Sequence, residues 1–152
     1  MDAITLLTAD HRKVAGLLRE VQETEGDDAA RAALFEKIRA ELTAHSEAEE
    51  TIFYPALKAK ATAGTDAGDE VDEAYEEHAN VKAMLEKIAA LDPSDDTYSA
   101  KLQVLDELVK HHVNEEESTM FESARDLLTE PELAGLGAQL QAKKESLLAK
   151  TR

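Results

Sequence analysis

The sequence predicts an all-α protein: an antiparallel up-down four-helix bundle built from two similar helix pairs, followed by a short C-terminal fifth helix. Three observations carry this expectation. Ala, Leu, Glu, Lys and Asp dominate the 152 residues, while Trp is absent and only 6 Gly and 3 Pro occur, a composition that favours helices over strands. Four segments place apolar residues at steps of three and four, the spacing of a single helical face. The second half also repeats the first at a constant offset of 67 residues.

The first helix, 2–21, carries Ile4, Leu7, His11, Val14, Leu18 and Val21 on one line, opens with Asp2 as N-cap and ends near Gly26. The second, about 28–61, carries Leu34, Ile38, Leu42, His45, Glu49, Ile52 and Ala56. Pro55 is expected to kink it, because its ring and missing N–H disturb the hydrogen-bond ladder. KAKATAGTDAGDE at 58–70 reads as the central loop. The third helix, 71–88, has the stripe Val71, Ala74, His78, Val81, Leu85 and Ile88, and DPSDD at 92–96 is a turn with Ser94 or Asp95 as cap. The fourth carries Leu102, Leu105, Val109, His112, Glu116 and Met120 and ends near Leu128. Thr129 and Glu132 of TEPE form a capping box for the fifth helix, with Gly135 and Gly137 weakening its beginning. The chain reads as one domain over 1–152, the bundle at about 2–128 and the last helix at about 130–149, long enough to bury a core without cross-links.

The repeat is specific. Adding 67 takes His11, His45 and Glu49 to His78, His112 and Glu116, and takes Ile4 to Val71, Val14 to Val81, Ile38 to Leu105, Phe53 to Met120 and Tyr54 to Phe121.

Composition excludes several functions. Without cysteine there is no disulfide scaffold, thiolate metal site, iron–sulfur cluster or cysteine nucleophile, which is compatible with a reducing cytoplasm. Residues 1–21 lack the apolar run of a signal peptide and no later segment approaches a membrane span, so the protein reads as soluble and cytoplasmic, without a membrane partner. A formal charge of -16 repels nucleic-acid phosphates and anionic lipid. The acidic surface is compatible with a monomer or a weak dimer.

Each of the four stripes holds one histidine at a core position, and two of these are followed at i+4 by a glutamate on the same stripe. Residues i and i+4 stack on one helical face, so His45 with Glu49, and His112 with Glu116, face the bundle axis together. Two ionised carboxylates in an apolar interior cost several kcal/mol each unless they are paired or bound to cations. Neutral imidazoles cannot neutralise them, whereas a pair of divalent or trivalent metal ions can. Imidazole and carboxylate without thiolate suit iron, manganese or zinc, and two carboxylates able to bridge favour a two-metal centre.

DHR at 10–12, HSEAEETIFYP at 45–55, the isolated His78 and HHVNEEESTMF at 111–121 together resemble the hemerythrin-like, or HHE cation-binding, family over Asp2 to about Leu128. The resemblance implies a non-haem di-iron centre with an oxo or hydroxo bridge and an open position for a small oxidant. In it His11, His45, His78 and His112 are terminal ligands and Glu49 and Glu116 bridge. Oxygen-carrying hemerythrins have a further histidine four residues after the one matching His78, where this chain has Lys82. They also place an aspartate five residues after the last histidine, where this chain has Glu117, with Glu116 at four. The pattern is more similar to the hemerythrin-like proteins of mycobacteria and related actinobacteria, a group associated with peroxide and nitric oxide chemistry.

Tyr54 is a further candidate ligand for the coordination position that the missing imidazole leaves. Ideal geometry puts it about 140° around the helix from Glu49, off the stripe, unless Pro55 turns the backbone inward. The alternative is a packed tyrosine with its hydroxyl bonded elsewhere. His111 reads as a flanking surface residue, Glu50, Glu115 and Glu117 as solvated or ligand-orienting carboxylates, Asp10 and Arg12 as cap and surface charges, and Phe53, Phe121, Leu18, Leu85 and Met120 as packing around the site. The expected activity is a di-iron oxidoreductase acting on hydrogen peroxide, in a catalase- or peroxidase-like reaction, or on nitric oxide. The alternatives are a module that binds oxygen, nitric oxide or iron without turnover, and a structural bundle with a zinc or adventitious site.

Overall fold

A computed structural model describes residues 1–62 and 65–151. It is all-helical among those residues, with five helices in the expected order. Helix α1 is Ala3–Gln22. Helix α2 runs Asp28–Ala48, passes through a π-helical turn at Glu49–Phe53 and continues as Tyr54–Lys60. Helix α3 is Ala67–Ala89. Helix α4 runs Tyr98–Glu115, has its own π-helical turn at Glu116–Met120 and ends with Phe121–Leu127, and α5 is Glu130–Ala149. Helices α1 to α4 pack around one ring, α1 on α2 and α3 on α4 most extensively, while α5 lies across α1 and α2.

Local chemistry sets most boundaries. Asp2 accepts from the Thr5 N–H at 2.8 Å and starts α1, which stops at Gln22, short of Gly26. Gly26 has φ +90° in the turn, a conformation that costs a residue with a Cβ. Helix α3 begins four residues before the expected Val71. Ala63 and Gly64 of the expected central loop lie outside the described residues. Neither Ser94 nor Asp95 caps α4: Thr97 occupies the cap, and Asp92 and Asp95 instead accept from the N–H and hydroxyl of Ser94 and Thr97, folding the turn on itself.

The irregularity in α2 also corrects the sequence reading. It starts at Glu49, ahead of Pro55, which sits in the first turn of the α-helical continuation. The same π turn recurs in α4 at the equivalent place, where the repeat partner of Pro55 is Glu122, so proline is not its cause. In each turn an N–H reaches back five residues, Tyr54 to the Glu49 carbonyl and Phe121 to that of Glu116. The extra residue brings the carboxylate and the aromatic five positions later onto one inward face, and all four side chains are buried.

The core is split by a polar layer. One apolar cluster gathers Ala3, Leu7, Phe53, Tyr54, Leu57, Val71 and Phe121 with α5 residues Leu133, Leu136 and Leu140. The other gathers Val14, Leu18, Phe35, Ile38, Leu85, Tyr98, Leu102 and Leu105. Along α1 to α4 the inward histidines, with Glu49 and Glu116, fall where the two clusters meet.

Helix α5 matches α1 in length and is stitched down at its start. Thr129 accepts from the Glu132 N–H at 3.2 Å while Glu132 accepts from the Thr129 N–H at 3.0 Å, the expected capping box. Gly137 lets α5 approach the chain start: a Cβ there would collide with the Met1 carbonyl oxygen. Gly135 has nothing within 4 Å of an added Cβ. Gly137→Ala should therefore cost about 1–3 kcal/mol through overpacking, whereas Gly135→Ala should be neutral or stabilise by up to about 1 kcal/mol. Urea unfolding of the two variants measures the contrast, and equal midpoints would refute the close approach of α5.

Candidate metal centre

The polar layer brings the six predicted residues together. His11, His45, Glu49 and Glu116 form one group, and Glu49, His78, His112 and Glu116 a second; within each group, one potential ligand atom per residue lies within 4.8 Å of the others. Both carboxylates belong to both groups. Glu49 Oε1 is 3.0 Å from His45 Nε2 and 3.2 Å from His78 Nε2. Glu116 directs Oε1 to His11 Nε2 at 3.0 Å and Oε2 to His112 Nε2 at 3.3 Å. Glu49 is 0% and Glu116 1% exposed. Both Glu49 oxygens, Glu116 Oε1 and the Nε2 atoms of His11 and His45 nevertheless lack hydrogen-bond partners. Such orphaned charge is costly in an apolar interior, and the set of four imidazole nitrogens and two carboxylates suits cations.

The opposite edge of each imidazole is held by a carboxylate. Nδ1 of His11 meets Glu117 at 2.7 Å, that of His45 meets Asp10 at 2.8 Å, that of His78 meets Glu50 at 3.0 Å and that of His112 meets Glu77 at 2.8 Å. Each contact fixes the ring so that Nε2 points into the cluster. Asp10, expected as a cap or surface charge, is buried and carries one of these contacts, and Lys144 of α5 donates to its other oxygen. Glu77 lies outside the residues predicted from the sequence, yet the repeat contains its signal: adding 67 takes Asp10 to Glu77 and Glu50 to Glu117. His111 is exposed, 3.2 Å from Glu77, and Arg12 and Glu115 are exposed as expected.

Tyr54 is fully buried and its hydroxyl donates to Glu116 Oε2, with His78 Nε2 at 3.3 Å and His112 Nε2 at 3.5 Å. The π turn, rather than Pro55, aims it inward. Its repeat partner Phe121 stacks on His11 with ring centroids 5.9 Å apart. The two groups are thus pseudo-symmetric in nitrogen and carboxylate and differ in this one position. A cavity of about 20 Å³, roughly one water molecule, opens beside all four imidazoles. Its apolar wall is Val14, Leu42, Val81, Val109 and Val113; of the expected packing residues, Leu85 lines the neighbouring groove that reaches His78, and Leu18 packs in the second core cluster.

Electrostatics ties these groups to protons when no cation is bound. Burial opposes a charge on His45, but Glu49 and Asp10 outweigh it and push the imidazole up to about 10. Burial likewise opposes a charge on His112, and Glu116, Glu49 and Glu77 push it up to about 12. Burial works against ionised Glu49 too, yet His45, His112 and His78 hold it well below the usual carboxylate range. Burial and the charges of Glu49 and Glu116 drive the Tyr54 phenol well above its ordinary value.

The imidazole shifts are upward, so their stabilisation is complete below the unfolded value near 6.5 and fades as pH rises through about 10. The Glu49 shift is downward, so its contribution is present above about 4.5 and lost as pH falls below that. Chelator-treated protein should therefore show a Tm that declines from pH 6.5 to 10, and metal-saturated protein a much flatter profile, because the cation replaces the protons. Thermal melts across that range measure both, and a flat profile after chelation would contradict the proton-held cluster.

The family described as "Hemerythrin HHE cation binding domain" matches residues 2–124. A crystal structure of a hemerythrin HHE cation binding domain-containing protein from Mycobacterium kansasii superposes with a TM-score of 0.86 at 26% identity, covering 99% of this chain and 89% of that one. An uncharacterized protein of Mycobacterium tuberculosis is 28% identical over 97% of this chain and 88% of its own length. A protein of Nostoc named DNA nickase is 31% identical over 97% of this chain, which spans 40% of that protein's length. Helical bundle, paired His/Glu groups and family match converge: the chain belongs to the hemerythrin HHE cation-binding domain family.

Proposed function

We propose that the two groups hold a pair of iron ions bridged by Glu49 and Glu116, with His11 and His45 on one ion and His78, His112 and Tyr54 on the other. There the protein reacts with small oxidants, foremost hydrogen peroxide in a catalase- or peroxidase-like manner, or nitric oxide. The observation that carries this reading is that two sets of four ligands share the same two buried carboxylates. Sharing suits two adjacent ions, and imidazole with carboxylate suits iron. Tyr54 Oη lies 3.3 and 3.5 Å from the Nε2 atoms of His78 and His112, near enough that it would join them in holding one ion. Such a pair would both give and take up electrons by passing between Fe(II) and Fe(III), reducing one peroxide and oxidising the next.

The protein's part is access and exclusion. The chamber beside the four imidazoles admits a molecule about the size of water, and its valine and leucine wall keeps bulk solvent out. Outside it, between α2 and α3, a groove of about 470 Å³ reaches His78 past Ser46, Glu50 and Lys82, the residue that stands where a fifth imidazole would close this side. Peroxide disproportionation, two H₂O₂ giving two H₂O and one O₂, balances without an outside electron donor. The alternative is reversible binding of oxygen, nitric oxide or iron without turnover. DNA nicking, the activity in the Nostoc relative's name, is not favoured here: this chain spans two-fifths of that protein, and its charge of -16 repels phosphate. In this reading residues 1–152 work as one hemerythrin-like domain in the cytoplasm, as a monomer or weak dimer.

Purified protein should contain about two irons per chain and release oxygen continuously on adding peroxide; a stable oxygen adduct without turnover would move it to the carrier class. Glu49→Ala and Glu116→Ala should each abolish stable loading of two irons, and full loading of both variants would refute the bridging assignment. Tyr54→Phe should retain both irons but lose a visible phenolate-to-iron absorption band. An unchanged visible spectrum would leave Tyr54 as a hydrogen-bond donor to Glu116 only.

A further inference from the structure

The repeat relates two clefts, one over each bridging carboxylate, and they are built in opposite ways. Over Glu49, the first helix pair places Ala3, Leu6, Ala48 and Ile52, which are buried or half-buried in the cluster with Leu133, Leu136 and Leu140 of α5. Adding 67 to those positions gives Glu70, Glu73, Glu115 and Thr119 over Glu116. There Glu73, Glu115 and Thr119 are exposed and Glu70 is half-buried. With Glu77 they line a small cavity between α3 and α4, whose buried floor includes His112 and Glu116.

Surface carboxylates are unremarkable on a chain of charge -16, but this group leads inward. Its floor is formed by His112 and Glu116, two of the four buried residues of the second ligand group, with Glu116 only 1% exposed. The rim is also crowded with like charge. Burial and the nearby Asp66, Glu115 and Glu73 raise the Glu70 carboxyl above its usual range despite hydrogen bonds from Ser123. On the other pair, the same three positions are apolar and covered by a helix, so the bundle itself does not require carboxylates there.

We propose that the acidic cleft between α3 and α4 is the port through which divalent cations reach the buried centre. Glu70, Glu73 and Glu115 capture the hydrated ion, and their oxygens replace its waters before Glu116 receives it. Helix α5 closes the equivalent passage on the first pair, so loading runs through one side of a pseudo-symmetric bundle. This inference rests on the metal-centre reading above.

The test is stopped-flow uptake of cobalt(II), followed by its visible absorption, into the chelator-treated full chain. The triple variant E70Q/E73Q/E115Q should load at least about ten-fold more slowly while reaching the same final stoichiometry. The control E20Q/E23Q/E25Q, which removes the same charge from exposed positions at the far end of α1 and the turn after it, should slow uptake by no more than about two-fold. Equal rates for the triple variant and the unmodified protein overturn the port, as does equal slowing by the control, which would make bulk charge the cause. A triple variant that binds fewer ions at an unchanged rate overturns it too, by making these carboxylates final ligands. If the triple variant does not fold, Glu73→Gln and Glu115→Gln, each at an exposed position, should each slow uptake by about three-fold. No cobalt uptake by the unmodified protein would instead bring down the metal-centre reading, and the port with it.

Discussion

Two glutamates, Glu49 and Glu116, lie at the centre of this bundle almost without contact with water, and the balance of their charge governs the structure around them. An ionised carboxylate at such depth is tolerated only beside positive charge. His45 and His112 provide it as imidazolium when protons are the only cations, and all four inward histidines offer neutral nitrogen ligands to a metal that takes the protons' place. The outer carboxylates Asp10, Glu50, Glu77 and Glu117 follow from the same demand, since each orients a ring and favours the form that the centre needs. The apolar clusters on either side then isolate the polar layer.

Such a layer is expensive to build from straight helices, because an inward carboxylate and an inward aromatic five residues later do not share a face. The two π turns resolve the conflict by adding one residue to the helical repeat at the point where the ligands are set. Their recurrence in both halves marks them as part of the site. The turns also decide where the halves diverge: the same inward position is Tyr54 beside His78 and His112, and Phe121 against His11. One group gains an oxygen donor and the other an apolar wall, so near-symmetric ligands acquire unequal surroundings.

Helix α5 deepens that inequality. It docks chiefly on α1 and α2, through the Gly137 approach to Met1, the leucines of the first core cluster and the contact of Lys144 with Asp10. The first pair is thereby covered, and Asp10 is anchored from outside. On the second pair Glu77 meets exposed His111, and the neighbouring surface keeps its carboxylates. The asymmetry of the surface originates in a helix outside the repeat, and that of the centre in the aromatic residue that each π turn presents.

Much of this was legible in the sequence because helix periodicity and an internal repeat are local properties. The stripes fixed which histidines and glutamates face inward, and the offset of 67 related the halves, so the fold class and the six inward residues followed from spacing. The same offset held Asp10 with Glu77 and Glu50 with Glu117, although their partners could not be read, since His11 with Glu117 and His78 with Glu50 join residues from opposite halves. Only the tertiary structure decided the rest. Periodicity assumes 3.6 residues per turn and therefore sets Tyr54 off the stripe; the π turns overrule it because the buried layer needs both side chains inside. The two glycines read as weakening α5, yet Gly137 proved to be a contact, because the backbone it meets lies more than a hundred residues away. Residue spacing determined which groups share a face, and packing between distant segments determined which groups touch, since contact energy depends on proximity that a linear pattern does not contain.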